Sequence, residues 1–255
     1  MLRTLTQSQR RRYRDEGIVF PFRVLDEGEA CRFRTQCDDL EQQLGGKPRT
    51  IAVRQMHLHF PWAWELATHP CVLDAVEDLL GPDLLVWATE LFSKHPHDSV
   101  ISIGWHRDRP YMGFSSQETA TAWIALSDCT PENGCLRAQP GVDHVAAVLD
   151  ERRVIDVELR AGEMSMHDAD ILHGSGSNCS DHKRVGFAIR FVTPAARALH
   201  GRPQVALARG NPPADGFQIV EPPSESQSAD ALAAMKKSAA AHFDSVLENL
   251  QTTRS

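Results

Sequence analysis

The sequence contains two His-x-Asp triplets, and this spacing can bring an imidazole and a carboxylate to one metal ion. They are His106-Arg107-Asp108 and His242-Phe243-Asp244. The first follows a strand-like run, and residues two apart on a strand share one face. The second lies in a helix-forming stretch, where residues two apart point to nearly opposite sides. Of the two triplets, only the first can therefore bring both side chains to one metal ion, and a metal site requires a further ligand.

A third candidate ligand is His173, in the strand-like run DILHGSGSN. Ser175 shares the face of His173 by the same alternation. The turn-rich segment SGSNCSD leads into a strand beginning near Arg184, so a hairpin of these two strands would return Arg184 to the neighbourhood of His173. Two histidines and one carboxylate on one side of an ion form the facial triad of non-haem Fe(II) oxygenases, which leaves other coordination positions open.

The strand that begins at Arg184 has two different faces. Arg184, Gly186, Ala188 and Arg190 alternate with the apolar run Val185, Phe187, Ile189 and Phe191. The apolar face is predicted to be core. The other face has two small residues between two cations, which is typical of a pocket wall for an anionic molecule. An arginine there can hold a carboxylate in a charge-assisted, bidentate pair.

The elements before this region are mainly helical. The predicted elements are a helix over residues 6–16 ended by Gly17, an edge strand IVFPFRVL containing Pro21, a helix from the capping box of Asp26 and Glu29 to Gly45-Gly46, and a helix from Pro70 to Gly81.

From Leu84 the sequence consists of short β-branched or aromatic runs separated by turn signals, among them a hairpin-type turn at Asn133-Gly134. This favours an antiparallel sandwich or barrel. After about residue 200 the chain becomes polar and ends in an Ala-rich helix. Its apolar stripe indicates packing on the domain, with a dimer contact as the alternative; the stripe consists of Leu232, Met235, Phe243, Val246, Leu247 and Leu250.

Composition restricts the class of protein. The 255 residues are 42% hydrophobic with a net charge of -7, and six cysteines form no C-x-x-C. We expect one domain, with a helical part over 1–82, a β core over 83–195 and a polar segment with a helix over 196–255. A cytoplasmic monomer or homodimer with reduced thiols is expected, without a signal peptide, a membrane span or a nucleic-acid partner.

The motifs carry a family resemblance. His106-x-Asp108, His173 and Arg184, with the segments ALSDCTPENGCLRAQPG and HGSGSNCSDHKRVGFAIRFV, resemble the phytanoyl-CoA dioxygenase family of Fe(II)/2-oxoglutarate oxygenases. The resemblance covers roughly residues 15 to 195. It implies a mainly β fold with flanking helices around a double-stranded β-helix, which is a jelly-roll, cupin-like core. One departure is Pro140-Gly141-Val142-Asp143-His144, where the family often has P-G-S-H, and it leaves the role of His144 open.

The resemblance also implies the cofactors and their ligands. His106, Asp108 and His173 would bind Fe(II), while Arg184 and Ser175 would hold the distal carboxylate of 2-oxoglutarate, with Trp123 nearby. O2 would be the second cosubstrate. The segment before the triplet is similar to that of aliphatic halogenases of this family, which have alanine in place of the aspartate. Because this chain retains Asp108, hydroxylation of a small metabolite is expected.

Other contacts are hypotheses. Lys94 is a candidate for the cosubstrate site. The substrate candidates are Tyr111, Met112, Phe114, His167, Arg190, His57 and His59. For most of them ordinary packing, solvation or ion pairing is the alternative interpretation. Desaturation, cyclisation or another oxidation is the alternative activity, and a non-catalytic jelly-roll binding module is the alternative class.

Overall fold

The computed structural model describes residues 4–48, 53–99, 102–114, 118–141, 148–223 and 230–252. His144, whose role the sequence leaves open, lies outside the described residues. The helices are α1 (Gln7–Glu16), α2 (Glu27–Gln43), α3 (Pro61–Ala67), α4 (Pro70–Leu80), α5 (Arg109–Met112) and α6 (Ala231–Thr252), with short 3-10 turns at Met56–Leu58 and Glu151–Arg153. The strands are β1 (Ile18–Arg23), β2 (Leu84–Lys94), β3 (Ile103–His106), β4 (Thr119–Ala125), β5 (Leu136–Gln139), β6 (Ile155–Val157), β7 (Glu163–His167), β8 (Leu172–Ser175), β9 (Arg184–Val192), β10 (Gln204–Arg209) and β11 (Gln218–Ile219).

These strands form two sheets. The larger has seven strands in the order β1-β7-β4-β9-β2-β10-β11, and the smaller has four in the order β3-β8-β5-β6. The strand pairs are antiparallel except for the short parallel pair of β10 with β11. The two sheets share a cavity between them, and helices cover the outside of the larger sheet. The predicted jelly-roll core with flanking helices is confirmed.

Local signals at the helix ends explain where the helices begin and end. Thr6 and Asp26 each form a capping box at the start of α1 and α2. Gly17 ends α1 in the left-handed conformation with φ 76°, which glycine adopts without steric cost. Pro70 begins α4 and Gly81 follows its last residue. These predictions are confirmed, as is the edge position of β1.

The two faces of β9 have different surroundings. Val185, Phe187, Ile189 and Phe191 belong to a large apolar cluster that includes residues of α2, α3 and α4. Trp62 of α3, for example, packs edge-on against Phe187 with ring centroids 6.1 Å apart. The opposite face of β9 lines the cavity between the sheets. Burying alternate residues in this way stabilises the sheet and leaves one face available for chemistry.

Three sequence-based expectations about local geometry were wrong. Strands β8 and β9 do not form a hairpin, because β8 pairs with β3 and β5 in the smaller sheet while β9 lies between β4 and β2. The turn at Asn133-Gly134 does not form the predicted hairpin either, because it joins β4 of the larger sheet to β5 of the smaller sheet. Asp108 lies beyond β3, as the N-cap residue of α5. Turn residues specify a reversal of the chain, but packing decides which strands then pair.

Helix α6 packs on the domain. Ala231 and Met235 belong to the large apolar cluster, and Val246 is buried. In the part of the chain that the structure describes, no helix, α6 included, combines the length and apolarity needed to cross a membrane.

Candidate metal centre and its cavities

The three predicted metal ligands lie together. His106 and His173 are register partners on β3 and β8, so their rings lie side by side with centroids 4.2 Å apart. Asp108 reaches the same point from the start of α5. One ligand atom from each of the three residues lies within 4.8 Å of the others. A strand pair and the turn that follows it thus build the set.

Backbone contacts fix the orientation of both imidazoles. Nδ1 of His106 donates to the carbonyl oxygen of Gly104 at 2.8 Å, and Nδ1 of His173 donates to that of Ile171 at 3.1 Å. A carbonyl can only accept, so in the neutral ring Nε2 keeps its lone pair. The two Nε2 atoms lie 3.6 Å and 3.9 Å from Oδ1 of Asp108. This donor set, two imidazole nitrogens and one carboxylate oxygen, fits Fe(II) in a facial triad.

The protonation states also suit a metal. Burial lowers the pKa of His173 to about 3, which keeps this ring neutral. Burial opposes the ionisation of Asp108, but Arg190, His106 and His167 outweigh it and hold the pKa of this carboxyl well below its usual value. Burial also opposes protonation of His106, but the adjacent Asp108 outweighs it and raises the pKa of this imidazole. A metal ion would take the place of that proton.

One row of residues across the larger sheet faces Oδ2 of Asp108, and two members of the row donate hydrogen bonds to it. His167 on β7, Thr121 on β4 and Arg190 on β9 are register partners in sequence. Oδ2 of Asp108 accepts from Thr121 Oγ1 at 3.0 Å and from Arg190 Nε at 3.3 Å, and Nε2 of His167 lies 3.7 Å away. Oδ1 is left facing the two ligand histidines. The carboxylate of Asp108 therefore contacts side chains of both sheets.

Two buried cations lie elsewhere in the space between the sheets. Lys94 and Arg184 are register partners on β2 and β9, exposed by 1% and 2%. Nζ of Lys94 donates to Ser175 Oγ at 2.6 Å, and both cations donate to the carbonyl oxygen of Gly134. Over the described ranges neither cation forms an ion pair with a carboxylate, and Nε of Arg184 has no hydrogen-bond partner. Buried charges without counter-ions indicate an anionic ligand.

A close approach between strands shapes the wall beside these cations. A Cβ atom at Gly186 would lie 1.9 Å from the indole of Trp123, so only glycine lets this ring lie against β9. The guanidinium of Arg184 lies over the same ring, 5.4 Å from its centroid. Trp123 thereby supports Arg184 and closes the cavity on that side.

The inner cavity connects the metal ligands to Arg184 and Ser175. A second, outer cavity of about 380 Å³ adjoins it, and the two cavities share the lining residues Phe92, Ile103, His106, Asp108 and Arg190. Further residues of the outer cavity come from the loop before α3, from β2, α5 and α6, and they include Arg54, Trp87, Glu90, Tyr111, His242 and Val246. A cavity of this size is in the range that accepts a small organic molecule.

The structure separates the remaining predicted residues. Tyr111 lines the outer cavity and meets His106 edge-on, with ring centroids 5.6 Å apart. Met112 and Phe114 belong instead to a buried apolar cluster around Trp87.

His57 and His59 do not line either cavity. Nδ1 of His57 contacts Thr89 Oγ1 at 3.0 Å, within the protein interior. Nε2 of His59 contacts Ser238 Oγ of α6 at 2.8 Å. These two histidines therefore lie behind the cavity walls, where they support β2 and α6.

Sequence reasoning missed several residues of the site. Glu90 could have been found, because it shares a strand face with Phe92 and Lys94. Thr121 could have been found in the same way, because it shares a strand face with Trp123 on β4. Arg54 and His242 have no such local signal, since each reaches the cavity only through packing of distant elements.

Fold and site together define the class of protein, which is a non-haem enzyme that depends on Fe(II) and 2-oxoglutarate. The family model described as phytanoyl-CoA dioxygenase (PhyH) matches residues 13–186. The chain therefore belongs to the phytanoyl-CoA dioxygenase family.

Individual relatives agree with this assignment. A curated protein of Caenorhabditis elegans named "Probable phytanoyl-CoA dioxygenase" is 23% identical over 236 residues, which cover 74% of this chain and 75% of the relative. The apo structure of the non-haem monooxygenase ThoJ is 32% identical, covers 96% of this chain and 99% of its own, and has a TM-score of 0.85. The non-haem α-ketoglutarate-dependent carbocyclase SnoK from nogalamycin biosynthesis is 25% identical, covers 76% of this chain and 86% of its own, and has a TM-score of 0.65.

Proposed function

We propose that this enzyme hydroxylates an aliphatic C–H bond of a small metabolite, with release of succinate and CO2. The observation that carries the proposal is Asp108, a buried carboxylate that completes the ligand set with His106 and His173. The halogenases that the sequence resembles have alanine at this position, so retention of the carboxylate favours hydroxylation. The similarity to the monooxygenase ThoJ supports the same outcome.

The inner cavity is the proposed site of the cosubstrate. Arg184 and Ser175 line this cavity and would bind the distal carboxylate of 2-oxoglutarate, with Trp123 beside it. Lys94, which donates to Ser175, would add its positive charge there, because neither cation has a carboxylate of its own. When bound, Fe(II) and 2-oxoglutarate supply the activation of O2, coupled to decarboxylation of the cosubstrate. The protein's own task is to orient the ligands and keep water out of a site in which Asp108 and His173 are almost fully buried.

The outer cavity is the proposed site of the substrate. It meets the inner cavity at the metal ligands, and Tyr111 and Arg190 line it there. We propose these two residues as substrate contacts. Met112, Phe114, His57 and His59 would act indirectly, by holding the walls in place. A cytoplasmic location is part of the proposal, in keeping with six cysteines that are all free thiols.

A second candidate activity is oxidative cyclisation or desaturation. The similarity to the carbocyclase SnoK, at 25% identity over 76% of this chain, favours it specifically. The two activities use the same ligand set and differ in the product. Hydroxylation adds one oxygen atom to the substrate, whereas cyclisation or desaturation removes two hydrogen atoms, so the product mass distinguishes them.

The experiment has two stages. Anaerobic addition of Fe(II) and 2-oxoglutarate to the purified enzyme should produce a metal-to-ligand charge-transfer band, and absence of this band would overturn the assignment of the cofactors. Aerobic incubation with a panel of small metabolites should then reveal a compound that raises succinate release and gains one oxygen atom. Asp108→Ala is the control and should abolish hydroxylation. Succinate release equal to the wild type in this variant would contradict the proposed ligand set.

A further inference from the structure

His167 is a buried histidine beside the metal ligands whose function the ligand set does not explain. It lies at the end of β7, with 2% of its surface exposed. Within the described part of the chain, neither Nδ1 nor Nε2 of this ring has a hydrogen-bond partner. Burying a polar group without a partner is unfavourable, and such groups in folded proteins are nearly always satisfied. A missing partner is therefore expected in the functional state.

Asp108 does not supply that partner. Its Oδ2 atom lies 3.7 Å from Nε2 of His167, which is beyond hydrogen-bond distance. The same oxygen already accepts from Thr121 and Arg190, and these two donors use its two lone pairs. The carboxylate is thus held without His167, and the imidazole remains available for another acceptor.

His167 is also not one of the metal ligands. The ligand atoms that lie within 4.8 Å of one another come from His106, Asp108 and His173. The ring of His167 instead lies against that of His173, with centroids 4.7 Å apart. It therefore lies beside His173 but outside the ligand set, at the metal end of the inner cavity.

The cavities decide which ligand His167 can meet. His167 lines the inner cavity but is not among the residues that line the outer cavity. The inner cavity is the proposed site of 2-oxoglutarate, whose distal carboxylate is assigned to Arg184 and Lys94. The other end of the same molecule carries a carboxylate next to the keto group, and this carboxylate would lie beside the metal ligands when the distal end is at Arg184.

We infer that His167 binds this metal-side carboxylate of 2-oxoglutarate, with Nε2–H as the hydrogen-bond donor. The inference rests on the proposed placement of the cosubstrate and replaces the earlier expectation of a substrate contact. It assigns each end of the cosubstrate to its own residues: Arg184 and Lys94 hold the distal end, and His167 holds the end at the metal.

Anaerobic titrations of the Fe(II)-loaded enzyme with two keto acids test the inference. Pyruvate has the metal-side carboxylate but lacks the distal one. His167→Phe keeps a ring but removes the donor, and it should weaken the binding of both 2-oxoglutarate and pyruvate by about tenfold, the effect of one hydrogen bond to a charged group. It should also shift the charge-transfer band. His167→Gln, whose amide nitrogen can replace Nε2, should restore most of the affinity for both acids.

Arg184→Met is the matched control at the other end. It should weaken the binding of 2-oxoglutarate and leave that of pyruvate unchanged. Unchanged keto-acid affinities and an unchanged band in His167→Phe would overturn the inference. A loss of Fe(II) affinity as large as in Asp108→Ala would also overturn it, because His167 would then be a metal ligand. An effect confined to 2-oxoglutarate would overturn it too, because pyruvate has the same metal-side carboxylate.

Two further results keep the test decisive. Thermal unfolding of the metal-free variants shows whether His167→Phe is folded, and His167→Gln provides the test if it is not. Absence of the band in the wild type would overturn the proposed function and the role of His167 with it. A normal wild-type band with normal binding by both variants would overturn the role of His167 alone.

Discussion

Arg190 connects the metal ligand to a second buried carboxylate. Its guanidinium contacts Oδ2 of Asp108 through Nε at 3.3 Å and Oε2 of Glu90 through Nη1 at 3.1 Å. Arg54 contacts the other oxygen of Glu90 through Nη2 at 2.7 Å. Cations and carboxylates thus alternate along the wall of the outer cavity, and each carboxylate has a counter-charge. This arrangement keeps Asp108 ionised before a metal binds.

Removing the cation at Arg190 should destabilise the metal-free protein. In Arg190→Met, Asp108 and Glu90 lose their shared cation inside the protein, and we expect a loss of about 3–5 kcal/mol in the free energy of unfolding at neutral pH. Adding Glu90→Gln should recover part of this loss, because one buried charge is then removed. Urea unfolding measures both effects. The surface pair of Arg12 and Glu16 is the control, and Arg12→Met should lower the free energy of unfolding by less than about 1 kcal/mol. Equal losses in Arg190→Met and Arg12→Met would contradict the prediction.

The affinity for 2-oxoglutarate should depend on pH through Lys94. Burial and the neighbouring Arg184 lower the pKa of Lys94 to about 7. A bound carboxylate favours the charged amine and raises this pKa, so the contribution to binding is complete below pH 7 and is lost as the pH rises further. We expect binding to the metal-loaded enzyme to weaken by about tenfold between about pH 6.5 and 8.5. Titrations of the wild type and of Lys94→Met measure it, and an equal pH slope in the variant would show that another group titrates.

At the scale of elements, helix α6 supplies one wall of the outer cavity. His242 packs on Trp87 with ring centroids 4.8 Å apart, and Nδ1 of the same ring accepts from Gln55 at 3.1 Å. Nδ2 of Asn249 donates to the carbonyl oxygen of Tyr111 at 3.1 Å. The helix lies outside residues 13–186, which match the family model. This wall is therefore an addition to the part of the chain that the family model describes, and we expect it to influence which substrate is accepted.

Filling the outer cavity from α6 should separate substrate binding from cofactor binding. Val246 is buried and lines this cavity, whereas its neighbour Leu247 is 41% exposed and is not one of the lining residues. Val246→Trp should leave the charge-transfer band with Fe(II) and 2-oxoglutarate unchanged but lower the turnover of the identified substrate by at least about tenfold, the effect expected when a side chain occupies a binding cavity. Leu247→Trp should change neither. Equal turnover in both variants would show that the substrate does not occupy this cavity.

At the scale of the whole molecule, the site exists only because two sheets oppose each other. The smaller sheet provides His106 and His173, and the turn after β3 provides Asp108. The larger sheet provides Arg184, Lys94 and Arg190. Ligands bound between the two sheets would contact both of them at once. A molecule that binds the native state alone shifts the unfolding equilibrium in its favour.

Metal and cosubstrate together should therefore stabilise the fold. With Ni(II) and 2-oxoglutarate at about a hundred times their dissociation constants, we expect the free energy of unfolding to rise by about 2.7 kcal/mol for each independent ligand. Thermal and urea unfolding with and without the ligands measure the gain, and removal of the metal with a chelator should reverse it. Asp108→Ala should show little gain. An equal gain in this variant would mean that the metal binds elsewhere.

The sequence by itself determined the features that depend on neighbouring residues. The capping boxes, Gly17 and Pro70 determined where helices begin and end, because their hydrogen bonds and backbone angles are local. Alternation along β9 predicted an apolar face and a polar face. The spacing of His106 and Asp108 brought two metal ligands together within a single turn of the chain.

Only the tertiary structure decided what depends on distant pairing. It placed β8 beside β3 and not beside β9, brought Lys94 next to Arg184, and put His242 in the wall of the outer cavity. Among the described residues, it also left His167 without a hydrogen-bond partner, beside a carboxylate whose Oδ2 already accepts two hydrogen bonds. These outcomes depend on how two sheets and a helix bury their apolar faces together, and residues far apart in the chain contribute to that packing without any local signal.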